Sequence, residues 1–120
     1  QKPLVELIGN LSEWRRGAAS EFLIAGRMMK APRVTCGTRR IYLKNRAAAE
    51  CPCVESSAWE HAGRRVVILA NYSVRPEPCR VDFASPVGGV FRTRSGETVF
   101  DGAYLTLEVP PLDAVMLEIK

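Results

Sequence analysis

Between residues 54 and 119 turn residues interrupt the chain roughly every 8 to 12 positions, with apolar side chains alternating or in short β-branched runs between them. That spacing leaves no room for crossover helices, so a parallel sheet is excluded and antiparallel pairing is expected. Leu105, Leu107 and Val109 alternate with Tyr104, Thr106 and Glu108. Cys79, Val81 and Phe83 share one side in the same way, as do Val115, Leu117 and Ile119 after Pro110-Pro111. Val66-Val67-Ile68-Leu69-Ala70 is apolar on both faces, the pattern of a strand covered on both sides at a sheet centre. His61-Ala62-Gly63, Ser95-Gly96 and Asp101-Gly102 read as turns, and a strand over Val90–Thr93 is expected to follow Gly88-Gly89. With Val54–Trp59 and a weak strand at Arg40–Leu43, about six strands are expected, folded as an antiparallel two-sheet β-sandwich of Greek-key type.

The residues before this region follow a different period. Leu4, Leu7, Ile8, Leu11 and Trp14 recur at three- and four-residue spacing after Pro3, which predicts a helix with one apolar stripe. Glu6 and Glu13 lie on its polar side, and Arg15-Arg16 suit its last turn before Gly17. A second helical stretch is expected over Ala18–Ala25, where Ala19, Phe22 and Leu23 share a face, and Pro32 bars a helix beyond it. A lone helix ahead of an all-β region must bury its stripe against something. Such a helix is either docked on one sheet or cut from a preceding domain; on the second reading Leu7, Leu11 and Trp14 are candidates for interdomain packing and the chain divides into residues 1–33, a terminal helix plus connector, and 34–120, the β domain.

The chain has 120 residues, 47% of them hydrophobic, enough to bury a core without metals or disulfides as staples. One histidine, His61, and three aspartates, Asp82, Asp101 and Asp113, leave little with which to assemble an acid, a base or an activated nucleophile, so the residues argue against an enzyme. The net charge of +4 does not imply a nucleic-acid partner. Arg15-Arg16, Arg39-Arg40, Arg64-Arg65 and Arg92/Arg94 are scattered along the chain without interleaved aromatics. Cys36, Cys51, Cys53 and Cys79 match neither a disulfide framework nor a zinc site, because Cys51-Pro52-Cys53 has a one-residue spacer and the other two are isolated. Buried free thiols, no metal and no cofactor are expected. Asn10-Leu11-Ser12 and Asn71-Tyr72-Ser73 match a glycosylation sequon common by chance. No apolar run approaches the roughly 20 residues of a membrane span. Opening on Gln1 rather than methionine, the chain is expected to be a processed or excised piece.

The order of elements resembles the end of many bacterial glycoside-hydrolase-like proteins. The likeness runs through a terminal helix, then Phe22-Leu23-Ile24-Ala25-Gly26-Arg27-Met28-Met29 leading to Ala31-Pro32, then Ser56-Ser57-Ala58-Trp59 and Gly63 to Ser73. The closing stretch from Leu105 to Ile119 is similar to the final hairpin of the C-terminal domains of α-amylase-like and α-galactosidase-like enzymes. The resemblance covers nearly all of the chain; Cys51-Pro52-Cys53 and the Arg39-Arg40 segment depart from it. It implies a non-catalytic accessory β-sandwich following a (β/α)8 barrel in carbohydrate metabolism, in the bacterial cytoplasm or exported. The catalytic carboxylates would lie upstream of Gln1 and the barrel would be the partner, with self-association through the helix where that stripe is uncovered. The alternative is a carbohydrate-binding module that stacks sugar rings on Trp59, Tyr72 and Tyr42. Glu55/Glu60 and Glu97/Asp101 are the carboxylate pairs to consider for a glycosidase dyad, and beside arginines they read more simply as surface charge.

Overall fold

The structure, a computed structural model, describes residues 2–42 and 48–120, and of residues 41 and 42 the backbone alone. Helices α1 (Lys2–Arg16) and α2 (Ser20–Ala25) precede strands β1 (Arg27–Met29), β2 (Arg33–Cys36), β3 (Thr38–Tyr42), β4 (Ala48–Pro52), β5 (Val54–His61), β6 (Arg64–Asn71), β7 (Glu77–Thr93), β8 (Gly96–Val109) and β9 (Ala114–Ile119). The chain is mainly β, with an N-terminal helix and antiparallel pairing throughout. Seven strands form one hydrogen-bonded sheet in the order β1-β5-β6-β9-β7-β2, with β8 on β7; β3 and β4 pair separately with each other. Arg40–Leu43 coincides with part of β3, and Leu43 lies outside the described residues.

The two-faced apolar stretch of β6 lies between β5 and β9, with Ile68 opposite Ser57 on one side and Met116 on the other. Alternation sends Val67, Leu69, Val115 and Leu117 to one face, where they pack with Val54, Ala58, Cys79, Val81, Phe100 and Val109. Val66, Ile68, Ala70, Ala114 and Met116 form the other face, covered by Trp14, Ala19 and Phe22. Both faces are therefore dry, as the apolar run of β6 requires.

The sequence expectation of about six strands breaks long ones and omits short ones. Asp101-Gly102 is not a turn, and Gly88-Gly89 lies within a strand rather than ahead of one: Gly88 pairs with Asp101 and Val87 with Gly102 inside the long β7–β8 hairpin. The register slips between Asp82 and Val87, where Ala84 takes a left-handed φ of 69°. On one side of this irregularity Arg33–Cys36 pair with β7, and on the other β9 pairs with Gly89–Arg92. A side chain at Gly89 would run into the Glu118 carbonyl oxygen and the Phe100 ring, so close approach rather than turn geometry accounts for this glycine. Of the expected turns, His61-Ala62-Gly63 is one, with φ of 52° at Ala62 and 78° at Gly63, the left-handed pair of a tight hairpin.

Residues 2–33 are joined to the rest by backbone and side chain. β1 pairs with β5, placing Met28 opposite Trp59. Asn10 Nδ2 donates to the Leu112 carbonyl at 2.7 Å, and Trp14 Nε1 to Asp113 Oδ1 at 3.1 Å. The stripe of α1 is wider than the surface it covers. Leu7 and Trp14 are buried and Leu11 is half-buried, whereas Leu4, Val5 and Ile8 are 54%, 70% and 55% exposed. Among the described residues no helix is long and apolar enough to cross a membrane.

Candidate functional site

Of the aromatic residues expected to form a sugar platform, Trp59 and Tyr72 lie apart from each other. Trp59 is half-buried, packs against the helix-side cluster and donates its indole N–H to Ser57 Oγ at 2.9 Å. Tyr72 packs against the same cluster, with the Arg39 guanidinium 5.7 Å from its ring centroid. Trp59 is opposite Val66 and Tyr72 follows Asn71, which is opposite Val54, so the two lie toward opposite ends of β5 and β6, about 20 Å apart by strand rise. The side chain of Tyr42 lies outside the described residues. Of the other aromatics, Tyr104 is exposed, and the Arg80 guanidinium lies 4.0 Å from its ring centroid.

The carboxylate pairs are held apart by strand geometry or engaged by arginine. Glu55 and Glu60 have opposite parity on β5 and project to opposite faces. Glu60 pairs with Arg27, and Glu97 pairs with Arg92 at 2.9 Å. His61 is half-buried at the end of β5. Cys36 is directly opposite Cys79 between β2 and β7, and its thiol lies 3.8 Å from the Val54 carbonyl oxygen. Burial pushes the Cys79 thiol up to about 11 and, with Glu77 beside it, raises that of Cys53, so both favour the unreactive protonated form. Among the described residues no group of three His, Cys, Asp or Glu side chains is arranged to hold a metal.

Two ionic clusters tie the helices to the sheet. Asp113 Oδ1 accepts Trp14 Nε1 and the Ala114 N–H, and Oδ2 accepts Arg94 Nε at 2.7 Å; Arg94 also reaches Glu13 at 2.6 Å. Arg64 donates two bonds to Glu118, at 2.8 and 3.0 Å, and also pairs with Glu21 on α2. Hydrogen bonding from Arg64 holds the Glu118 carboxyl below its ordinary range against the opposing effect of burial. A carboxyl depressed in the folded state stabilises above its unfolded pKa and loses that stabilisation as the pH falls through its folded one. Glu118→Gln should therefore destabilise the protein at neutral pH and flatten the acid limb of its stability curve, as measured by urea melts across acidic to neutral buffers.

A cleft of about 340 Å3 opens at the end of the sheet where β1 leads into β2. The connector supplies Lys30, Ala31 and Pro32; Ala58, Val67 and Arg65 come from β5 and β6, Phe83 and Val87 from either side of the register slip, and Ile119 from β9. Trp59 and Val66 also border it, but their side chains pack on the opposite, helix-covered face. No reading of the sequence pointed to this cleft, because its walls come from five separated segments. Compared with protein-family models, curated proteins and solved structures, the chain matches none.

Proposed function

We propose that this chain is a non-catalytic accessory β-sandwich domain of Greek-key type, which packs on and stabilises an upstream (β/α)8 barrel of glycoside-hydrolase type. The sandwich reading is supported by the slip in β7–β8, since strands on both sides of it contribute to one core cluster. The packing role rests on one observation: α1 is anchored through Leu7, Leu11 and Trp14, yet leaves Leu4, Val5 and Ile8 in water. Such a flank matches a partner surface better than solvent. Leu7 and Trp14, two of the three residues expected to pack between domains, are buried within this chain and Leu11 is half-buried, so the outward packing surface falls on the neighbouring flank of Leu4, Val5 and Ile8. A carbohydrate-binding role through Trp59, Tyr72 and Tyr42 has less support, because the first two lie far apart and against the helix layer.

Ile8→Asp tests the packing role. In the 120-residue chain it should leave the melting temperature nearly unchanged, because Ile8 is exposed. In the barrel-linked protein it should cost about 2 kcal/mol, the loss of a buried aliphatic contact. Equal, small effects in both would show that the flank faces nothing.

A further inference from the structure

The cleft at the β1–β2 connector combines apolar walls with two cationic residues. Ala31, Ala58, Val67, Phe83, Val87 and Ile119 provide apolar walls, and the exposed residues Lys30 and Arg65 also line the cleft. Neither cation takes part in an ion pair among the described residues. Glu60, directly opposite Arg65 on β5, has its carboxylate engaged by Arg27. The cleft is thus left with two cations, unpaired among the described residues, beside its apolar walls.

We propose that this cleft binds a medium-chain aliphatic carboxylate of about eight carbons, with its tail against the apolar walls and its head between Lys30 and Arg65. The volume is at the small-ligand end of binding pockets. A sugar is a poorer match, because beyond the two cations only the Ser85 hydroxyl among the lining side chains offers a polar partner for its several hydroxyls. A polyphosphate is equally unsuited to the apolar walls. This inference does not depend on the barrel-packing reading, since it uses a different surface.

The test is a titration of the isotope-labelled chain with octanoate, followed by amide NMR, alongside octan-1-ol and a Lys30→Glu/Arg65→Glu variant. Octanoate should give saturable shifts at Ala31, Val67, Val87 and Ile119. Its affinity should fall at least about ten-fold in the double variant, and octan-1-ol should bind the native chain about ten-fold more weakly than octanoate. Absence of saturable shifts, shifts confined to Leu4, Val5 and Ile8, equal binding of octan-1-ol, or an unchanged affinity in the folded variant would each overturn the proposal.

Discussion

Phe22→Ala should destabilise the protein by about 4 kcal/mol, the cost of removing a fully buried aromatic side chain and leaving a cavity. Phe22 belongs to the layer formed by Trp14 and Ala19 over Val66, Ile68, Ala70 and Met116. It is also the main anchor of α2, whose six residues are too few to hold a helix in water without tertiary contacts. The exit from α2 is equally constrained. The Gly26 N–H bonds the Phe22 carbonyl at 3.0 Å, and a Cβ at position 26 would collide with that carbonyl. Loss of the ring also removes the surface over which the Arg64 guanidinium lies, 5.2 Å from its centroid. Chemical denaturation should show an undiminished slope if the unfolding unit is unchanged, whereas a reduced slope would mean that α2 had already separated in the native state.

The second large effect is expected at Asp113. Asp113→Ala should cost about 3 kcal/mol, because it strands the buried indole N–H of Trp14 and the Ala114 N–H and leaves Arg94 to find water. Arg94 is partly exposed and recovers solvent, so most of the penalty belongs to the indole. Trp14→Phe in the Asp113→Ala background should therefore be much less harmful than in the native chain. A double-mutant cycle from urea melts measures this coupling, and additive effects would show that the indole bond contributes nothing.

The legible part of the fold is the part governed by short-range periodicity. The stripe from Leu4 to Trp14 marks α1. The two-faced run of β6 gives a central strand, and alternation through Tyr104–Val109 reappears as exposed and covered positions in β8. β1, β2 and β4 are three to five residues long, too short for a clear alternation, and β1 and β2 pair with strands farther along the chain. Gly88-Gly89 and Asp101-Gly102 carry turn chemistry but serve a slipped ladder and a crowded backbone, a distinction that exists only once β8 and β9 are in place. The Trp14–Asp113 bond joins residues 99 positions apart and the Arg94–Glu13 pair residues 81 apart. Trp59 stands out by residue type, but the 59–66 register that turns it toward the helix layer is a tertiary fact. The cleft is likewise assembled from segments spread between residues 29 and 119.

That the helix layer is part of this domain's own core, with only the flank at Leu4, Val5 and Ile8 open to a partner, is tested most directly by native-state hydrogen exchange. Amides in the last turns of α1 and the helix-capping Gly26 N–H should exchange only through global unfolding, with the free energy found for Leu69 and Leu117 in β6 and β9. The first turn of α1 should open separately at lower free energy. Exchange of all of α1 and α2 at several kcal/mol below the strands would contradict the account and make the helices an appendage to an independently stable sheet.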